Sequence, residues 1–326
     1  MKLQAEQLRA IAQGIDRITE DDGGFRFHRF TEEQEALYRE TSPKDFYIKA
    51  CATSGVNLAF RTDSRTLTLL VRHSRGSSRS FGFADLEVDG ELRAHIGSAE
   101  NGIGLFGGSY ELGEGMKTVR LYFAQLLCAE LCWLELDDGA VVEPVTPSRR
   151  MLIFGDSITQ GYDAKYPSHS YAMRLARLLD ADARNKGIGG EKFFPELAAA
   201  RDAGPDPELI TVAYGTNDWS SREPDLLEEK LRAFYRTLSA AYPTSKIFAI
   251  SPIWRGNWQQ PKPFAKPFPW VAELIAQVAD ELPNVVHIPG IDLVPHDPAC
   301  FSPDVLHPND TGFATYAERL FAAIRG

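Results

Sequence analysis

No stretch of this chain is both apolar and long enough to cross a bilayer, which takes ~20 residues. The N-terminal MKLQAEQLRAIAQG sets Glu6 and Arg9 where a secretory signal needs an unbroken apolar run. A soluble, cytoplasmic protein with no membrane partner is therefore expected. Cysteine is scarce: Cys51, Cys128, Cys132 and Cys300 are too few and too scattered to form a disulfide framework in 326 residues. Cys128 and Cys132 share the segment LLCAELCWLEL, which reads as strand. Four residues of strand span roughly 13 Å, beyond a disulfide's reach, so buried thiols are expected. Surplus positive charge is missing too. The chain has 35 Lys plus Arg against 45 Asp plus Glu, a formal charge of -10. Such a surface repels polyanions and excludes nucleic acid as a natural partner. No cluster of His, Cys and carboxylates has metal-ligand spacing, so neither a metal nor a cofactor is expected.

What is present divides in two. A chain of 326 residues exceeds what one core usually fills. From about Phe25 to Val142 short strands alternate with turns, and helical periodicity is hard to find after the first fifteen or so residues. TLTLLV (66 to 71) alternates apolar and polar side chains, and ADLEVDGEL sets Asp89-Gly90 between two alternating runs, a strong hairpin signal. MKTVRLYF and the segment 128 to 136 continue the series. An all-β, jelly-roll-like sandwich is expected over residues 1–147, closed by VVEPVTPSRR, whose Pro144 and Pro147 read as a linker.

Over residues 148–326 the pattern changes to short apolar strands alternating with amphipathic helices, the signature of a parallel sheet covered on both faces. Strands are expected at MLIF (151 to 154), LITVAY (209 to 214), KIFAIS (246 to 251) and VVHI (285 to 288). Helices are expected from Ser170, from Pro224 to about Tyr242, and from Thr311 to Ile324, the last capped by Asn309 or Asp310. The fold class is α/β, a three-layer α/β/α parallel-sheet domain preceded by an all-β domain.

Gly155-Asp156-Ser157 directly follows MLIF, so Ser157 stands at the carboxyl end of a strand, where open α/β sheets bind their ligands. A serine hydroxyl needs a base, and DVLHPND sets Asp304 three residues before His307, close enough for one turn to present both. His296, with Asp292 and Asp297 nearby, is a second candidate. NKGIGGE (185 to 191) and YGTND (214 to 218) each follow a short strand and emerge on the same sheet edge. The N–H groups of Ser157 and Gly190 and the carboxamide of Asn217 are donor types that an oxyanion hole uses. Gly102-Ile-Gly104-Leu-Phe-Gly107 spells a dinucleotide fingerprint, but no amphipathic helix follows it. The GxSxG elbow of the α/β-hydrolases is absent, because Ile158-Thr159 follows Ser157.

Taken together, GDSITQG, NKGIGG, GTND and DVLHPN resemble the successive blocks of the SGNH (GDSL-like) hydrolase family over residues 149 to 326. The resemblance implies a serine esterase with Ser157 as nucleophile, His307 as base, Asp304 completing the triad, and Gly190 and Asn217 in the oxyanion hole. Gly190 is preferred within the 187 to 190 run because acidic Glu191 follows it, as Gly-Asp often stands in the family. The β half is reminiscent of two-domain carbohydrate esterases with a jelly roll ahead of the SGNH domain. A loop from Pro252 to about Pro269 carries Trp254, Arg255 and Trp258, which could stack on and bond a sugar or could pack the loop down. The expected substrate is a short acyl ester, on a small molecule or a carbohydrate. An acyltransferase or lipase-like esterase using the same acyl-enzyme, and a binding protein with a vestigial triad, are the alternatives. Acyl length, acceptor and oligomeric state stay open at this level.

Overall fold

The computed structural model describes residues 1–21, 23–260 and 266–326. In chain order, α1 (Ala5–Ile11), β1 (Ala12–Gln13), β2 (Arg17–Asp21) and β3 (Gly24–His28) come first. Then follow α2 (Glu32–Thr41), α3 (Phe46–Ala50), β4 (Asn57–Thr62), β5 (Thr66–Arg75), β6 (Gly82–Val88) and β7 (Glu91–Ser98). β8 (Gly104–Glu111), β9 (Lys117–Tyr122), β10 (Leu127–Leu136) and β11 (Glu143–Pro144) complete this half. They form two antiparallel sheets, β1-β4-β9-β6-β7 with β11 on β4, and β2-β3-β10-β5-β8. Leu67, Leu69 and Val71 of β5 point inward and meet Leu58, Leu86, Leu121 and Leu134 from both sheets. This is the alternation expected of a half-buried strand. Asp89 and Gly90 both take left-handed φ (51° and 83°) between β6 and β7, the hairpin conformation that their sequence favours. Gly104 to Gly107 lie in β8, not before a helix, and a Cβ on Gly107 would sit 2.1 Å from the Leu69 carbonyl oxygen. The four cysteines are unpaired.

Two features of this half differ from the sequence expectation. Helix α2 follows the first fifteen residues, yet its buried face is Gln34, Glu35 and Tyr38, so it carries no apolar stripe. Thr31 and Gln34 cap its start reciprocally, a legible signal of another kind. The proline-rich segment is also tied down: Glu143 and Pro144 pair with β4, and the Val145 N–H donates to Ala59.

The second half contains β12 (Arg149–Gly155), β13 (Ala181–Asn185), β14 (Leu209–Ala213), β15 (Lys246–Ile250) and β16 (Val285–Ile288), all parallel in the order β13-β12-β14-β15-β16. Its helices are α4 (Ser157–Gln160), α5 (Tyr171–Leu178), α6 (Pro195–Ala199), α7 (Thr216–Ser221), α8 (Pro224–Ala241), α9 (Pro269–Asp280) and α10 (Asp310–Arg325). One core joins Leu197, Leu231, Phe234 and Ile275 to one face of the sheet; another joins Leu175, Phe313 and Leu320 to the other. This is the three-layer α/β/α arrangement. The order reverses at β12, since β13 lies on one side and β14 on the other. The loops after β12, β13 and β14 therefore open into a single crevice. No helix among the described residues is long and apolar enough to cross a membrane.

The two halves share polar and apolar contacts. Phe30, Tyr38 and Ala50 belong to the same core as Leu152 and Phe154. Buried Arg29 donates to the carbonyls of Asn185 (2.6 Å) and Gly187 (2.9 Å), and also to Ala52 and Lys49 (2.8 Å each), so it fastens the loop after β13. On β6, Asp85 accepts from the Ser168 N–H (3.0 Å) and Oγ (2.6 Å).

Candidate active site

Gly155 ends β12, and its lack of a side chain is required, since a Cβ there would stand 2.0 Å from Thr159 Oγ1. The chain turns at Asp156, whose carboxylate accepts the Ile158 N–H (3.0 Å) and caps α4. Ser157 is thus the first helical residue, and its own N–H points out of a helix N-terminus, free of any intrahelical acceptor. Ser157 is buried to 8% exposure, and its Oγ lies 2.8 Å from His307 Nε2.

His307 is presented by the turn before α10. Asp304 Oδ1 accepts the N–H groups of Leu306 (2.9 Å) and His307 (3.0 Å), and its Oδ2 lies 2.5 Å from His307 Nδ1. Burial alone would raise the Asp304 pKa, but the His307 N–H, its ring and the Leu306 N–H outweigh it and hold the carboxyl below its ordinary value. With Asp304 on Nδ1, the network assigns the ring proton to that nitrogen and leaves Nε2 to accept from the serine hydroxyl. The turn is strained: Val305, a β-branched residue, has φ 50°, held by its N–H to Ser302 and by the Gly256 N–H on its carbonyl (2.8 Å each).

The loop after β13 offers three glycine N–H groups. Gly187's is bonded to Asn185 Oδ1 (2.8 Å) and Gly189's to Gln160 Oε1 (2.7 Å). Gly190, exposed and at φ 87°, keeps its N–H unengaged among the described residues. Asn217 lies in the first turn of α7 after Gly215 (φ 116°), and its Nδ2 donates to the Glu191 carbonyl (3.0 Å), leaving its second amide hydrogen over. Beneath these groups is a buried acidic layer. Glu191 sits between the hydroxyls of Tyr38 (2.5 Å) and Tyr214 (2.6 Å), and burial pushes its carboxyl up to about 8. Burial likewise raises Asp156 to about 7 and Asp218 to about 6, the latter bonded to Arg222 (2.5 Å).

In the loop after β15 the three residues singled out in the sequence make contacts within the protein. Arg255 is buried, donating to Thr216 Oγ1 (2.9 Å) and Asn257 Oδ1 (2.7 Å), with its guanidinium 5.4 Å from the Trp219 ring. It braces the turn that carries Asn217. Trp254 stacks on His296 (5.5 Å, 15°) and tilts against Phe301 (5.2 Å), and half-buried Trp258 packs on the larger core. The segment 261–265 of this loop lies outside the described residues. Trp254→Ala is therefore expected to cost roughly 2 kcal/mol, about 5 °C in Tm. The ratio of saccharide-acetate to aryl-acetate turnover should stay as it was, and a scanning calorimeter and the two assays check this.

Three residues beside His307 escape sequence reasoning. Tyr162 stacks on the imidazole (5.5 Å, 28°), and Asp163, at φ 68°, brings Oδ2 to 3.8 Å from Nδ1. Arg79, from the sandwich loop between β5 and β6, bonds Asp163 through Nε (2.8 Å) and Nη2 (3.1 Å). Asp163, Asp304 and His307 each place one ligand atom within 4.8 Å of the others, so they are the described residues that could gather round a cation. All three are engaged by protein groups.

A hydroxyl bonded to an imidazole that is itself bonded to a carboxylate, at the switch point of a parallel α/β/α sheet, is the arrangement of a serine ester hydrolase. The family model described as the GDSL-like lipase/acylhydrolase family matches residues 153–315, and the chain belongs to this family of carboxylic ester hydrolases. The search of curated proteins returns no match. Among solved structures, the fold extends over both halves. Salicylyl-acyltransferase SsfX3, from a tetracycline biosynthetic pathway, superposes with a TM-score of 0.79 at 24% identity, covering 96% of this chain and 94% of that one. A family two carbohydrate esterase from Cellvibrio japonicus gives 0.69 at 19% identity, covering 100% and 97%. Another from Clostridium thermocellum, solved in complex with cellohexaose, gives 0.64 at 17%, covering 84% and 93%.

Proposed function

We propose that this protein hydrolyses short acyl esters, acetyl esters of carbohydrates first among them, through an acyl-enzyme on Ser157. His307 Nε2 takes the hydroxyl proton as Oγ attacks the ester carbonyl, then returns it to the departing alkoxide. Water, deprotonated by the same nitrogen, releases the acid. Asp304 holds the imidazole in the tautomer this needs and stabilises the imidazolium. The N–H groups of Ser157 and Gly190 and the Asn217 carboxamide bond the oxygen as it gains charge. The observation that carries the reading is the unbroken relay from Oγ to Nε2 (2.8 Å) and from Nδ1 to Oδ2 (2.5 Å). A binding protein with a vestigial site has no need of it.

The carbohydrate part is supported by the two-domain likeness to family two carbohydrate esterases. A second reading, transfer of the acyl group to an alcohol instead of water, is favoured by a mostly apolar pocket beside Gly190. It measures about 370 Å³ and is walled by Phe46, Phe193 and Phe194, and it could hold an aromatic acyl group or acceptor. Acyl esters from acetyl to dodecanoyl, with acetylated xylo- and cello-oligosaccharides, separate the readings when assayed with and without an added alcohol. The expected result is an acetyl ester turned over at least about tenfold faster in kcat/KM than the octanoyl ester, with free acid as product. Preference for octanoyl or longer chains overturns the short-acyl reading, and a new ester as main product replaces hydrolysis with transfer.

A further inference from the structure

The loop between β5 and β6 leaves the sandwich and lands beside His307. Ser78 meets the Tyr162 hydroxyl through its N–H and Oγ (3.4 Å each), and the Arg79 guanidinium lies 5.2 Å from the Tyr162 ring while both its bonds go to Asp163. Buried Ser77 fixes the loop by accepting the Arg79 N–H (3.0 Å). His307 Nδ1 thus faces two carboxylates, one bonded at 2.5 Å and one held off at 3.8 Å.

Two negative charges at one imidazole would favour its protonated form, and a protonated base cannot accept the serine proton. We propose that Arg79 is a positioning residue supplied by the β-sandwich: it neutralises Asp163 and keeps it off His307, so that Asp304 alone partners the ring. The inference rests on His307 being the base for Ser157. It gives the sandwich a part in the chemistry, as the source of the cation that sets the working pH range.

The charged and titratable groups around His307 come from four elements. Asp304 lies on its own turn, Asp163 and Tyr162 on the segment after α4, and Arg79 on the sandwich loop. Arg255, from the loop after β15, interacts electrostatically with Asp304 and with buried Asp156. Arg79 also interacts with Asp304. Removing Arg79 therefore leaves net negative charge at the ring, while removing Asp163 leaves net positive charge.

The test is the acidic limb of the kcat/KM profile for an aryl acetate, followed by pH-stat, together with the His307 imidazole titration by NMR in the Ser157→Ala protein. Arg79→Gln should move both to higher pH by about one unit, Arg79→Lys by little, and Asp163→Asn to lower pH. The double variant Arg79→Gln/Asp163→Asn should return close to wild type. Should Arg79→Gln fail to fold, the downward shift in Asp163→Asn decides the matter. Unmoved titration in both single variants, or a shift that persists in the double variant, reduces Arg79 to a domain fastener. Loss of activity in Asp163→Asn as deep as in His307→Ala also overturns the inference, because Asp163 would then be the ring's working partner. The NMR titration needs no turnover, so it separates failure here from failure of the Ser157 mechanism.

Discussion

Ser157→Ala is expected to lower kcat/KM for an aryl acetate by on the order of 10⁴-fold or more, and His307→Ala by a similar factor, because nucleophile and base act as one unit. Neither change should disturb the fold. Ser157 Oγ has His307 Nε2 as its partner, and the turn carrying His307 is held by backbone bonds from Ser302, Val305 and Gly256. Circular dichroism and Tm close to wild type should accompany the loss. Asp304→Asn should retain more activity than His307→Ala, since the carboxylate orients the ring without entering the covalent step. It should still cost more than a surface change, because the same carboxylate also caps the Leu306 and His307 N–H groups. Residual turnover in Ser157→Ala comparable to wild type would remove Ser157 from the mechanism altogether.

Asn217→Ala is expected to lower kcat by about 10² to 10³-fold with little change in KM. Its Nδ2 is anchored at 3.0 Å to the Glu191 carbonyl, so one amide hydrogen fixes the direction of the other. Such a donor is preorganised before substrate arrives, and it acts most strongly where charge develops in the transition state. Arg255, bonded to Thr216, holds the turn in place when the Asn217 side chain is removed, so the effect should be local. An effect confined to KM, measured by full saturation kinetics, would place Asn217 in ground-state binding instead.

Much of the architecture was legible because it rests on local periodicity. β12, β14, β15 and β16 are short apolar runs between helices with apolar stripes, and Asn309 caps α10 as its position before the stripe suggests. Helix α9, not among the helices expected from the sequence, carries the same kind of signal in Val271, Leu274, Ile275 and Val278 at helical spacing. Helix α2 was hidden for another reason. It buries Gln34 and Tyr38 against polar partners of the second half, Gln34 on Ala200 and Asp202 and Tyr38 on Glu191, and such a face has no apolar period. Trp254 and Arg255 show what residue type alone leaves open: their contacts with His296, Phe301, Thr216 and Asn257 come from distant or irregular segments that carry no period.

By itself the sequence carried the family resemblance and the layer order. Ser157, Gly190, Asn217 and the Asp304–His307 pair each sit in a short segment next to a strand or helix end, and a parallel sheet brings such segments to one edge. Asp304 and His307 are three residues apart, so a single turn suffices to join them. Only the tertiary structure decided which glycine N–H is left over, because the competing acceptors, Asn185 Oδ1 and Gln160 Oε1, reach the loop from outside the 187 to 190 run. It alone also brought Arg79 across 84 residues to Asp163. An ion pair between the β-sandwich and the α/β half leaves no periodic trace in either of them: it depends on where two differently patterned surfaces meet, and that is a property of packing.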